Sequence, residues 1–249
     1  MANWSDPRSD TRSNMAGFGG ATADRSAAFD AGLRSYMLSV YNYMASGVLL
    51  TGVVAMLFAS SGMAAQVLGG PGILKYVIMF APLVFVMVLS FGINKLSTAA
   101  AQGLFWAYAA VMGLSLSSIF LVYTGTSIAQ TFFATAAAFA GLSLFGYTTK
   151  KDLSAFGTFL IMGVVGLFVA MLINLFLKSS VMDLVISGVG VLLFAGLTAY
   201  DTQKIKSMYA YVQGTDMMGK TVIMGALNLY LDFINMFLFL LRFMGGSRD

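Results

Sequence analysis

The sequence contains no cysteine, no histidine and, among its ten acidic residues, no glutamate. The absence of cysteine and histidine excludes disulfides, the usual zinc sites, haem and iron–sulfur ligation, and any Cys or His nucleophile or general base. Charged residues make up only 10% of the chain, whereas soluble domains carry about 25%. Charge chemistry inside this protein therefore depends on a short list of aspartates.

Apolar residues make up 59% of the 249 residues, and the mean hydropathy is +0.84. This composition is typical of an integral membrane protein, in which each spanning helix needs about 20 mostly apolar residues. Residues 1–34 are polar and are predicted to form a disordered tail, and residues 35–249 to form the transmembrane domain. The charge-poor stretches of spanning length are 37–59, 73–94, 100–123, 127–147, 156–177, 181–200 and 222–242. They predict an all-α fold, a polytopic bundle of seven transmembrane helices.

The distribution of lysine and arginine predicts the orientation of these helices. Ten basic residues fall on the side of the tail and four on the other side. Because basic residues concentrate in cytoplasmic loops, the N-terminus is expected in the cytoplasm and, after seven crossings, the C-terminus outside. A last segment that dips into the membrane and returns would instead leave the C-terminus cytoplasmic. The net charge of +4 is explained by this orientation, so no nucleic-acid partner is expected.

Two aspartates fall at or near bilayer depth. Asp201 lies at the cytoplasmic end of the sixth stretch, and Asp232 lies inside the seventh. A carboxylate within the membrane costs about 2.5 to 3.5 kcal/mol on insertion scales, so each requires a partner or a function. Lys204 follows Asp201 by three residues and can neutralise it as an ordinary helix pair. Asp152 and Asp183 lie at helix ends, where solvation accounts for them.

The seventh stretch has one polar face. Asn228, Asp232, Asn235 and Arg242 fall within about 80° of one another on a helix. Such a stripe on an otherwise apolar helix points into the bundle, where it can line a path or hold a cation. The alternative is that the two asparagines only form hydrogen bonds with neighbouring helices.

If the sixth and seventh helices are antiparallel neighbours, Asp201 and Asp232 can share one cavity. Two nearby carboxylates in a low dielectric repel and share a proton, which permits pH sensing without histidine. When deprotonated, the pair attracts a hard cation, and calcium prefers 6 to 8 oxygen ligands. The expectation is a weak calcium site at Asp201 and Asp232, with calcium and protons as partners and no tightly bound cofactor.

The sequence resembles the transmembrane Bax inhibitor motif family (Bax inhibitor-1), in its bacterial inner-membrane branch. The strongest matches are residues 196–206, GLTAYDTQKIK, and residues 229–243, LYLDFINMFLFLLRF. Residues 113–120, GLSLSSIF, and residues 148–154, TTKKDLS, support them. The resemblance covers the chain from about Arg34 to its end.

The resemblance implies six helices around a central seventh and a pH-sensitive calcium leak in the inner membrane. It also implies that Asp201 and Asp232 form a hydrogen-bonded sensor, and that a basic residue on the second helix pairs with Asp201 when the pore is closed. The nearest match to that residue is Lys95, although its surroundings depart from the Arg-rich form of the family. Lys204 and Arg242 are the other candidate partners. Some bacterial members interact with a membrane protease.

Three other functions compete with a channel. Paired aspartates also describe intramembrane aspartyl proteases, but those place the second aspartate in Gly-x-Gly-Asp, whereas Asp232 follows Leu-Tyr-Leu. An enzyme is therefore not expected. A non-transporting modulator that binds a membrane protease or another partner is the main alternative, and it predicts tolerance of Asp232→Asn. Proton-coupled transport of a small solute also stays open.

Overall fold

A computed structural model of the chain describes the backbone of residues 9–246 and the side chains of residues 27–246. Of the predicted disordered tail, residues 1–8 lie outside the described residues, whereas the backbone of residues 9–34 belongs to the first helix. The described residues form nine helices. These helices are α1 (Ser9–Ser60), α2 (Met63–Gly69), α3 (Leu74–Gly92), α4 (Thr98–Leu116), α5 (Ile119–Val122), α6 (Gly125–Thr148), α7 (Ser154–Leu177), α8 (Ser180–Val212) and α9 (Met217–Met244).

Seven helical segments are long and apolar enough to cross a membrane, which confirms the predicted number of spans and the all-α fold class. The first is the part Ala27–Ser60 of α1, the third joins α4 and α5 as Thr98–Val122, and the others are α3, α6, α7, α8 and α9. The short helix α2 lies between the first two spans. The side chains of α1 pack on α8 from Phe29 onward, where the rings of Phe29 and Tyr209 meet edge to face at 5.1 Å between centroids.

The helix α9 is the central element of the bundle. In its most apolar window 72% of the residues are buried, whereas the share in the other described spans does not exceed 33%. It packs against α1, α4, α6 and α8. The other spans keep one apolar face outward, because lipid rather than water is their solvent. A polar group on α9 must therefore find its partner inside the protein.

The two ends of the bundle differ in charge. We call the end that holds Lys150, Lys151, Lys204 and Lys206 the basic end. The helix α9 begins at this end, where Gly219 lies against the side chain of Thr98. It finishes at the opposite end, where the amide of Gly246 donates to the hydroxyl of Ser127 at 2.9 Å. The last helix therefore runs the length of the bundle without interruption and does not dip in and return.

Candidate aspartate site

The helices α8 and α9 are antiparallel neighbours, and they bring Asp201 and Asp232 together. Asp201 is half-buried, and the side chain of Asp232 is only 4% exposed. Their carboxyl groups lie within hydrogen-bond reach of each other. Because a carboxylate has no proton to donate, a hydrogen bond between them requires one of the two groups to be protonated. The arrangement suits the sharing of one proton between α8 and the central helix α9.

One oxygen of the pair has no partner. The Oδ2 atom of Asp232 is buried and accepts no hydrogen bond from the described residues. A buried acceptor in this state costs free energy unless a proton, a water molecule or a cation satisfies it. The described residues contain no cluster of three or more acidic or other metal-ligating side chains.

Lys204 is the basic residue beside the pair. It follows Asp201 by one helical turn, close enough for its charge to act on Asp201 but beyond ion-pair distance. Its ammonium lies 5.8 Å from the centre of the Tyr200 ring. Lys204 is exposed, so the two groups meet where water can reach the ammonium. Among the three candidate basic partners, this is the one that the structure brings to Asp201.

Lys95 and Arg242 lie elsewhere. Lys95 is exposed just beyond α3, a helix that packs on α4 and not along α8 in the described part of the chain. Arg242 lies ten positions after Asp232, about 15 Å further along α9, and its guanidinium forms a two-pronged ion pair with Asp183. Arg242 therefore acts at the end opposite to the aspartate pair.

The two asparagines of the polar face lie on α9 on either side of Asp232. Both are half-buried. The amide of Asn235 donates to the carbonyl oxygen of Leu231 at 2.8 Å, which is a bond within its own helix. A role for Asn228 and Asn235 in lining a path stays a prediction.

The end of α8 that carries Asp201 is fastened to α6 and to the loop between α6 and α7. The hydroxyl of Thr202 lies 3.3 Å from that of Ser143. The side chain of Gln203 accepts from the amide of Leu153 at 2.9 Å and donates to the carbonyl oxygen of Lys151 at 2.8 Å. These contacts hold the two residues that follow Asp201 against α6 and against the loop between α6 and α7.

That loop also contains Asp152. The hydroxyl and the amide of Ser154 bond to this carboxylate, which holds the pKa of Asp152 below its usual value. Asp152 is therefore charged at neutral pH, and it accepts from the amide of Ser154, the first residue of α7. The prediction had assigned this carboxylate to solvation at a helix end.

Sequence reasoning missed a polar cluster at the opposite end of α8 and α9. Asp183 was assigned to solvation at a helix end, but it accepts from Arg242 and also from the amide of Asn174 at 3.1 Å. The side-chain oxygen of Asn174 in turn accepts from the backbone amide of Ser179 at 3.1 Å. The cluster joins α7, α8 and α9. The signal that could have found it is the pairing of an acid at the start of α8 with the base at the end of α9.

A second missed feature is a buried hydroxyl network between α1, α4 and α9. The hydroxyls of Thr51 and Tyr230 lie 2.6 Å apart, and Thr51 donates to the carbonyl oxygen of Ala109 at 2.8 Å. Tyr108 contacts the ring of Tyr230 at 5.3 Å between centroids, and its own hydroxyl has no described partner. Single hydroxyls within apolar stretches give no sign in the sequence that they will meet.

Removal of the Thr51 hydroxyl is expected to destabilise the protein. In Thr51→Val the buried hydroxyl of Tyr230 loses its partner, which costs about 1–3 kcal/mol. Tyr230→Phe removes the other half, and the double variant should lose less than the sum of the two single losses. Melting temperatures in detergent of the four proteins measure this coupling. Strictly additive losses would contradict a direct bond.

Comparison with known proteins covers the whole membrane domain. The family described as "Inhibitor of apoptosis-promoting Bax1" matches residues 33–249, which include both aspartates. An uncharacterised protein of Rickettsia prowazekii is 49% identical over 229 residues, covering 92% of this chain and 96% of that protein. The inner membrane protein YbhL of Escherichia coli is 47% identical over 220 residues, covering 88% of this chain and 94% of that protein. An uncharacterised protein of Caulobacter vibrioides is 48% identical over 232 residues, 88% of this chain and 92% of its own.

Proposed function

The chain belongs to the Bax inhibitor-1 family of membrane proteins, and on that basis we propose that it is a pH-sensitive leak channel for calcium and related cations. The observation that supports this proposal most directly is that α8 and α9 bring the carboxyl groups of Asp201 and the buried Asp232 within hydrogen-bond reach of each other. The proposed activity is not enzymatic. Calcium is its permeating ion, and no cofactor is tightly bound.

The proposed gate is the contact of α8 with α9 at this pair. With one or no proton the pair is negative, and it holds the ammonium of Lys204 or a passing cation close to the two helices. Uptake of a further proton neutralises the pair, so this attraction is lost and the helices separate more easily. Flux should therefore rise as the pH falls through the range in which the pair takes up its proton.

We also propose a localisation and an orientation for the protein. The named Escherichia coli relative is an inner membrane protein, and the distribution of lysine and arginine favours a cytoplasmic N-terminus. The basic end of the bundle then faces the cytoplasm, and the Arg242–Asp183 pair faces outward. Reporter fusions to the two termini test this orientation.

Calcium uptake into proteoliposomes between about pH 5 and pH 8, a window above the ordinary aspartate pKa of about 3.9, tests the channel. Wild-type vesicles should take up calcium faster as the pH falls. Asp201→Asn and Asp232→Asn should lose or displace this dependence, because an amide cannot take up the proton. Asp216→Asn is the matched control, since Asp216 is exposed at the start of α9 and makes no capping bond.

Two outcomes would overturn the proposal. If wild-type vesicles are no leakier than empty ones at any pH, a modulator that binds a membrane protease or another membrane partner becomes the hypothesis to pursue. If Asp201→Asn and Asp232→Asn keep the wild-type pH profile, the protein conducts but the aspartate pair is not its gate.

A further inference from the structure

An apolar groove of about 780 Å³ lies between α1 and α6 on the outside of the bundle. In the described residues α1 packs on α4 and α9, and α6 packs on α8 and α9, but α1 and α6 form no interface with each other. The floor of the groove is therefore supplied from beneath by Phe233 of α9. Phe233 and Phe139 are buried there, whereas Leu38 and Leu144 at the mouth are more than half exposed. Because both walls are membrane spans, the mouth opens to lipid.

The groove is long enough to hold the acyl chain of a lipid. Its lining extends from Arg34 to Leu49 along α1, which is about 22 Å at the rise of an α-helix. One leaflet contributes about 15 Å to the hydrocarbon core. Alanines at positions 45, 136 and 140 line the walls and leave the space open. The volume also falls within the roughly 300–1,000 Å³ of small-molecule sites.

The two ends of the groove differ in charge. Arg34 lines one end, where it is exposed and, among the described residues, has no carboxylate at ion-pair distance. Tyr147 lines the same end, and the ammonium of Lys206 lies 4.7 Å from the centre of its ring. Lys206 also donates to the carbonyl oxygen of Tyr147 at 2.7 Å. The rest of the lining is almost wholly apolar, so the groove presents a cationic head and an apolar tail.

We propose that this groove binds an anionic phospholipid from the leaflet on the side of Arg34, with an acyl chain in the groove and the phosphate on the guanidinium. A guanidinium offers paired N–H donors that fit a phosphate. A phospholipid supplies both the long apolar part and the anion in one molecule. A second copy of the chain would have to bring an acid to Arg34 at the membrane surface and a thin apolar ridge below it.

The position of the groove gives its occupant a contact with the aspartate site. Phe233 in the floor follows Asp232 directly, and Ser143 in the wall bonds to Thr202, the residue after Asp201. Lipid binding itself does not depend on the channel proposal. It is measured without ion flux, so the two can fail separately.

Lipid binding by the purified full-length protein tests the site. Native mass spectrometry in detergent gives apparent dissociation constants for palmitoyl-oleoyl phosphatidylglycerol and for the phosphatidylcholine with the same chains. The wild type should prefer phosphatidylglycerol by about tenfold, as expected for one charge-assisted contact. Arg34→Gln should abolish this preference. Lys95→Gln, which removes an exposed cation outside the groove, should keep it.

Filling the groove should weaken both lipids. Ala140→Trp places an indole in the groove, whereas Ala138→Trp places it on an exposed position of α6 outside the lining. We expect at least about tenfold weaker binding for the first variant and wild-type binding for the second. If Ala140→Trp does not fold, Ala45→Phe fills the groove from α1 and serves the same purpose.

Three results would overturn the proposal. One is equal affinity of the wild type for the two lipids, and another is unchanged binding in a folded groove-filling variant. The third is a dimer that Ala140→Trp dissociates while lipid binding persists, which would identify a second copy of the chain as the occupant.

Discussion

Replacement of Gly146 by alanine is expected to lower the melting temperature markedly, and replacement by leucine to prevent assembly of the domain. A Cβ atom at this position would collide with the carbonyl oxygen of Ala199 on α8. Because the obstacle is backbone, no change of side-chain rotamer relieves it. Overpacking of this kind costs about 1–3 kcal/mol, and more for a large side chain.

The matched control for this variant lies on the same helix. A Cβ atom at Gly141 has nothing within 4 Å, and the position is exposed. Gly141→Ala should therefore leave the melting temperature in detergent unchanged or raise it, since alanine favours the helix. Equal melting temperatures for the two alanine variants would show that α6 and α8 do not approach closely at Gly146.

The close approach at Gly146 also matters for the aspartate site. Ala199 lies two residues before Asp201, and Ser143, one turn before Gly146, contacts Thr202. If α6 is pushed away from α8, the support of Asp201 from α6 is lost. Calcium flux through a surviving Gly146→Ala protein should therefore show a displaced pH profile as well as a lower melting temperature.

The membrane spans were predictable because a long apolar segment with few charges both determines a spanning helix and gives a clear hydropathy signal. Long charge-free runs can only be buried in lipid, and five of the seven predicted stretches fall within single helices of the structure. The stretch 73–94 exceeds α3 by one or two residues at each end, and the stretch 100–123 corresponds to α4 and α5 together. The prediction ended the sixth helix at Tyr200, whereas α8 continues to Val212. This last part is polar and leaves the membrane as a helix, and a search for apolar runs cannot detect it. The same reason explains why α9 begins at Met217 and not at Val222.

The aspartate pair was predictable because a carboxylate within the membrane has a high free energy, but the residues around the pair were not. A carboxylate within an apolar helix is conspicuous, and the only question left for Asp201 and Asp232 was whether their helices meet. Asp183 gave no such signal because a helix end accounts for a charge, and its partner lies 59 residues away. The groove exists because α1 and α6 do not pack against each other, and no pattern in the sequence predicts which helices stay apart.

The contact of α8 with α9 is held at two levels. Toward the basic end the carboxyl groups of Asp201 and Asp232 lie within hydrogen-bond reach of each other. At the opposite end Arg242 and Asp183 form an ion pair. If the proposed gate at the aspartate pair opens, this ion pair still joins the two helices. The ion pair should thus set the resting stability of α8 against α9.

Reversal of the charge at Arg242 is expected to lower the melting temperature strongly, and exchange of the two charges to restore most of the loss. Arg242→Glu places two acids in contact, next to Asn174, whose side-chain amide donates to Asp183. The side chains of Arg242 and Asp183 are about one-third exposed, at 37% and 34%, so solvent screens the pair. We therefore expect about 1–2 kcal/mol for its removal in Arg242→Ala, between the values for exposed and buried pairs, and a larger loss for Arg242→Glu.

Melting temperatures of Arg242→Glu, Asp183→Arg and the double variant, at low and high salt, measure the coupling. A double variant as unstable as the sum of the single ones would show that the two residues do not hold α8 to α9.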